Sequence, residues 1–294
     1  MVPIVALLVA LSACGGWRPP EGSVLRVDRA GRVVWRSPSR RIAFDSEPVL
    51  RDGQVQVDAY TRCGQQEVVH YDARSGKPAA GTVADLSAPV ADGGLEFRPQ
   101  LGAGPIAPTV GPPSVPGGFG VLALDAASGA PRWLTSGFSQ GQPRLAAGGG
   151  VVAVVALNDP TRLTLDVLAA DDGRELWKLE DPSYPFQVPV PRFGRPVPIL
   201  AGGNVYVLDG QGQMEARDAR SGTTRWKAPA SGPVAAGDTM VVVHRGGNLV
   251  AYDHGGRRLW SKPLVKGKSA VFPAVAGGGV YVAASHGQPC PPSD

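Results

Sequence analysis

The chain has 294 residues, with 29 basic and 25 acidic side chains, and its net charge of +4 is spread without a block of one sign, which excludes an electrostatic nucleic-acid binder. Forty glycines and 29 prolines beside few Met, Phe and Tyr favour many short strands joined by tight turns over long helices. No stretch has convincing helical periodicity, and beyond the N-terminus no apolar run approaches the roughly 20 residues needed to span a bilayer.

Taken in chain order, residues 2–13 form an uncharged segment too short to cross a membrane and of the length of a signal-peptide hydrophobic region. The residues before the first cysteine, Leu11-Ser12-Ala13-Cys14, resemble a bacterial lipobox. That resemblance implies a lipoprotein signal peptide over 1–13, acylation of Cys14, and a lipidated tether over 14–23 that includes Pro19 and Pro20. No Lys or Arg precedes the apolar run, so either translation starts upstream or the signal is weak. The other reading is a frayed apolar N-terminus of a cytosolic protein.

From residue 24 onward a unit recurs six times. One half is an apolar pair, an Asp, a Gly and a Trp: "VLRVDRAGRVVW" (24–35), "VVHYDARSGKPAA" (68–80), "VLALDAASGAPRW" (121–133), "DVLAADDGRELW" (166–177), "MEARDARSGTTRW" (214–226) and "LVAYDHGGRRLW" (249–260). Its glycines are Gly31, Gly76, Gly129, Gly173, Gly222 and Gly256; four residues later stand Trp35, Trp133, Trp177, Trp226 and Trp260, with Ala80 in the second copy. The other half starts at Pro48, Pro89, Pro143, Pro198, Pro233 and Pro273, passes a Gly turn and enters an alternating apolar strand. Glycine takes the positive φ of a turn, the Asp or Ser before it bonds turn amides, and Pro suits a strand's first residue, where no ladder donor is owed. Each tryptophan, burying roughly 150–250 Å² against a neighbouring sheet, is expected to be structural first and a ligand-stacking residue only second.

A proline half supplies two strands and a tryptophan half two more, at the spacing of a propeller blade. The pattern A-x-D-x-x-S-G-x-x-x-W, as in "ALDAASGAPRW" and "ARDARSGTTRW", resembles the tryptophan-docking motif of PQQ-like β-propellers, a family that includes quinoprotein alcohol dehydrogenases and BamB-type lipoproteins. The predicted fold is therefore all-β: a PQQ-like β-propeller over residues 24–285, followed by a C-terminal tail at 286–294. The chain begins with a tryptophan half and ends with a proline half, which together make one blade. Six blades of four antiparallel strands result, closed by the N- and C-terminal strands; a degenerate blade inside an insert would make seven.

Cys63 and Cys290 fall beyond the second strands of neighbouring blades, so a Cys63–Cys290 disulfide is predicted, against the alternative of two unpaired thiols. The inserts 100–118 and 178–197 emerge on one face; the second carries Tyr184, Phe186 and Phe193 among prolines and reads either as a partner-binding loop or as a cap on the ring. No catalytic residue and no metal ligand set is assigned. His70, His244, His254 and His286 lack ligand spacing, and Asp171 and Asp172 sit where other copies have their turn. The adjacent cysteine pair of the quinoprotein dehydrogenases is absent, so neither PQQ nor calcium is expected. The resemblance implies a monomeric, lipid-anchored ring outside the cytoplasm that binds another envelope protein, on the pattern of the barrel-assembly machinery. The alternatives are a small-ligand-binding or sensing propeller, or a reduced PQQ-dependent dehydrogenase-like protein.

Overall fold

A computed structural model describes residues 21–40, 43–44, 48–62, 65–80, 90–101, 109–110, 119–138, 140–159, 162–180, 198–208, 211–231, 234–265, 267–268 and 270–285. The chain opens with β1 (Glu21–Val27) and β2 (Val33–Arg40). The first blade holds β3 (Ala43–Phe44), β4 (Val49–Arg51), β5 (Gln54–Arg62), β6 (Gln65–Asp72) and β7 (Pro78–Ala79). The second holds β8 (Val90–Asp92), β9 (Leu95–Leu101), β10 (Thr109–Val110), β11 (Phe119–Asp125) and β12 (Pro131–Phe138). The third is β13 (Gln140–Gly148), β14 (Val151–Asp159), β15 (Arg162–Ala169) and β16 (Glu175–Glu180), and the fourth β17 (Ile199–Ala201), β18 (Asn204–Leu208), β19 (Gln213–Asp218) and β20 (Thr224–Pro229). The fifth is β21 (Val234–Gly237), β22 (Met240–Arg245), β23 (Asn248–Tyr252) and β24 (Arg258–Lys262). Finally β25 (Ala270–Ala276) and β26 (Gly279–Ser285) return to the start of the chain, and the sixth blade has the order β25-β26-β1-β2.

Among the described residues the repeat builds six sheets. The sixth blade is sewn by antiparallel pairing of β1 with β26, in the register Val24↔Ala283 and Leu25↔Val282. Pairing the ends of the chain completes the sixth blade, so neither terminal half-sheet is left with an inner edge to pair with another chain. Two short strands lie outside the four-stranded pattern: β3 pairs with β5, and β10 runs parallel to β12.

From the third blade to the sixth the first strand of each sheet lies toward the axis, where β13, β17, β21 and β25 touch in succession. The strands next to them are the most buried, with β26 buried along its whole length, and the outermost β24 is exposed except at Trp260. One prediction needs correction. Pro48 and Pro198 stand just before β4 and β17, but Pro143 and Pro273 lie inside β13 and β25. These are edge strands of their sheets, so the donor that proline lacks would have pointed away from the ladder. At Pro143 the register with β14 also shifts between Gln140 and Arg144.

The core is a set of wedges between blades. Trp133 packs with Phe97, Val121 and Val152 between the second and third, and Trp177 with Val151, Val167 and Val205 between the third and fourth. Tyr206, Met214 and Tyr252 join the fourth to the fifth, Trp260 and Val280 join the fifth to the sixth, and Trp35 and Tyr281 join the sixth to the first. Among the described residues no such cluster joins the first blade to the second.

Candidate functional site

The repeat places each indole on the last strand of its blade and aims it at the turn between the last two strands of the next blade. Trp35 Nε1 donates to the Ala73 carbonyl at 3.0 Å, Trp133 to Ala170 at 2.9 Å, Trp177 to Ala219 at 2.9 Å, Trp226 to His254 at 2.9 Å and Trp260 to Arg29 at 3.0 Å. Since the acceptor is a backbone carbonyl, its side chain is free to vary from Ala to His to Arg. The ring plane covers the turn glycine. A Cβ built at Gly76, Gly173, Gly222, Gly256 or Gly31 would come within 2.5–2.9 Å of the indole of Trp35, Trp133, Trp177, Trp226 or Trp260 respectively. These glycines therefore serve twice, once for their positive φ and once for the close approach of a ring. Among the described residues nothing lies within 4 Å of a Cβ on Gly129, at φ +69, where the indole would have come from the position that Ala80 holds.

The turns themselves are held by their Asp. Asp218 Oδ1 accepts from the Ser221 amide at 2.8 Å and from the Ser221 hydroxyl at 3.0 Å, and Asp72 and Asp125 do the same with Ser75 and Ser128. The bonds from Ser221, with further help from Arg220 and Arg225, pull the Asp218 carboxyl down to about 2. Asp28 and Asp253 are likewise held below the ordinary carboxylate range, first by the backbone amides of Arg32 and Arg257.

On the face formed by these turns and the turns of the glycine pairs lies a pocket of about 210 Å³, lined by Asp92, Gly93, Leu95, Gly150, Asp171 and Arg220 among others. Three blades meet there. The Gly150 amide donates to Asp92 Oδ2 at 2.7 Å, and the Arg220 guanidinium donates to the Gly149 carbonyl at 3.2 Å. The pocket sets a carboxylate and a guanidinium at a rim of small residues, each already bonded to backbone there. Asp171, expected as a turn former, is exposed at this rim; Asp92 and Arg220 carry no local signature, because blades distant in sequence bring them together.

Between the fourth and fifth blades is a polar network. Asn204 Nδ2 donates to the His254 carbonyl at 2.9 Å and to Tyr206 Oη at 3.2 Å, and Tyr206 Oη lies 2.7 Å from His254 Nδ1. Arg225 reaches Asn204 Oδ1 at 3.0 Å and pairs with Asp218. Burial pushes the Tyr206 hydroxyl up to about 12, against the Asn204 hydrogen bond, so it stays protonated and acts as a fixed dipole. His254 is thus a packing and bonding residue, and His70 and His244 lie on β6 and β22 away from it. Among the described residues no group of three or more His, Cys, Asp and Glu is arranged to hold a metal ion.

One buried acid–base pair recurs in equivalent register on successive blades, Asp166 opposite Lys178 and Glu215 opposite Lys227. Burial pushes Asp166 up to about 6; Lys178, 3.9 Å away, and the Thr164 hydroxyl lower it only in part. Burial also raises Glu215, but Lys227 and Arg217, whose Nη2 lies 2.6 Å away, outweigh it and leave the carboxyl lowered. Cys14, Cys63, Cys290, Tyr184, Phe186, Phe193 and His286 lie outside the described residues.

A family model described as outer membrane protein assembly factor BamB matches residues 96–233 and 228–291. Among solved structures the chain is similar to BamB from Moraxella catarrhalis, at 16% identity over 86% of this chain and 74% of that one, with a TM-score of 0.38. It is also similar to the computationally designed Ika8 protein, at 13% identity over 86% of both chains and a TM-score of 0.41. A europium-containing methanol dehydrogenase shares 13% identity over 83% of this chain, which spans 56% of that enzyme, with a TM-score of 0.35. No curated protein matches the chain.

Proposed function

Because the chain belongs to the family described as outer membrane protein assembly factor BamB, we propose that it is a docking ring of a bacterial envelope, held to a membrane by a lipid on Cys14 and binding another envelope protein. The observation that carries the proposal is the family match from residue 96 to residue 291, which runs from β9 of the second blade to β26 of the sixth. The ring would work passively. Acyl chains confine it to a surface, and the inserts on one face, with Tyr184, Phe186 and Phe193, meet the partner. On this reading it needs neither quinone nor calcium and transfers no electrons.

The test is a pull-down from solubilised membranes with wild-type protein and with Cys14→Ser. Recovery of barrel-assembly components by the wild type, together with release of the Cys14→Ser variant into the soluble fraction, supports the proposal. A variant that fractionates like the wild type rejects the anchor, and failure to recover any envelope protein rejects the docking role.

The pocket beside Asp92 and Arg220 favours a second reading, a ring that binds a small polar ligand. A thermal shift with small polar metabolites or with quinone and calcium, lost in Arg220→Ala, would favour that reading over the first.

A further inference from the structure

Five of the six blade junctions hold an indole, and among the described residues the junction of the first and second blades has none. Every other part of the docking site is present there. Asp125 holds its turn through the Ser128 amide at 2.9 Å and the Ser128 hydroxyl at 2.8 Å, as Asp72 and Asp218 hold theirs. Gly129 has φ +69, the value found at Gly76, where the Trp35 ring lies on the glycine. The Ala126 amide donates to the Gly94 carbonyl at 2.9 Å, just as Ala73 donates to Gly53 and Ala170 to Gly150. Ala126 therefore holds the position whose carbonyl receives an indole in the other junctions.

What differs is coverage. Ala73, Ala170 and Ala219 are buried at 6%, 5% and 4% exposure, whereas Ala126 and Gly129 are exposed. Ala80, the residue standing in the tryptophan position, is exposed and fixed, with its carbonyl accepting from Gln54 Nε2 at 2.9 Å. Among the described residues nothing comes within 4 Å of a Cβ on Gly129.

We propose that this junction is a binding site for an indole supplied in trans, by a polypeptide segment that presents a tryptophan side chain to Gly129 and Ala126. The chain itself displays the bound form five times: a ring flat on a bare glycine and one N–H donated to a carbonyl. A leucine would bury area but supply no donor, and a phenylalanine would fill the space without the hydrogen bond. The site rests on the ring geometry alone and holds whether or not the proposed docking role does.

The test uses the full chain with N-acetyl-L-tryptophanamide as probe and N-acetyl-L-leucinamide as control, followed by calorimetry and by amide chemical shifts. The expected result is saturable binding of the tryptophan probe in the millimolar range, at least tenfold tighter than the control, with shifts centred on residues 126–129. Ala80→Trp is expected to fill the site from within, raising Tm by about 2–4 °C or more and abolishing probe binding. Equal binding of the two probes, shifts centred elsewhere, or an Ala80→Trp variant that folds and still binds the probe would overturn the proposal. If Ala80→Trp does not fold, the probe comparison and the shift map on the wild type decide alone.

Discussion

Gly173→Ala and Gly129→Ala make the same chemical change at equivalent turns, and the account assigns them different costs. Both glycines have a left-handed backbone, φ +72 and φ +69, so each alanine bears roughly 1–2 kcal/mol of backbone strain. At Gly173 the new methyl would also lie 2.7 Å from the Trp133 ring, which must move within a packed junction at a further cost of about 1–3 kcal/mol. At Gly129 it meets none of the described residues within 4 Å. Gly173→Ala should therefore destabilise by about 3–4 kcal/mol and Gly129→Ala by about 1.5 kcal/mol. At roughly 2–4 °C per kcal/mol the two melting temperatures should differ by several degrees, read by circular dichroism or calorimetry. Equal losses for the two variants would mean that the indole does not lie on its neighbour's glycine, and the wedge description of the ring would fail.

Trp133→Phe leaves the buried Ala170 carbonyl without its donor and should cost about 1–3 kcal/mol beyond the lost area, measured by urea unfolding; Trp226→Phe, at a half-buried site, should cost less. Asp166 has a folded-state value near 6, above its unfolded one, so the folded chain binds more protons between about pH 4 and 6 and stability falls as pH rises through that window. Asp166→Asn should flatten that slope in a pH series of unfolding midpoints, and an unchanged slope would show that the carboxyl is not desolvated. Glu215 has the opposite sign: its lowered value makes a contribution that is present above the ordinary glutamate range and lost as the pH falls through the folded value. Glu215→Gln should therefore lose stability at neutral pH and little at pH 2. Asp218 follows the same sign, so Asp218→Asn should weaken the fold above pH 4 but not near pH 2.

The parts of the molecule legible in the sequence are those encoded within one repeat. Asp, Ser, Gly and Trp at fixed spacing define a turn and its outward ring, and the split of halves between the chain ends fixes which strands share the sixth blade. The docking carbonyls at His254 and Arg29 leave no trace in side-chain identity, since backbone is the acceptor. Parallel pairing of Thr109–Val110 with Leu134–Thr135 has no periodic signal in two residues. Pro143 and Pro273 read as strand starts because proline lacks a donor; that an axial edge strand owes none there depends on the sheet around it. Asp92, Gly150 and Arg220 come together only once three blades are stacked. The opposite titration of Asp166 and Glu215 turns on the reach of one side chain and the presence of Arg217, which a repeat alignment passes over.

The closure of the ring is tested most directly by disulfide formation between β1 and β26. Cysteine pairs at 24 and 283 and at 25 and 282 would be placed in a chain whose Cys14, Cys63 and Cys290 are serine, because adjacent antiparallel pairs alternate in Cβ spacing and one of the two suits a disulfide. The ring predicts rapid intrachain cross-linking of at least one pair on mild oxidation, seen as a mobility change on a non-reducing gel, and none for a control pair at 25 and 216. Folded protein in which neither register cross-links faster than the control would contradict a blade shared by the two ends of the chain.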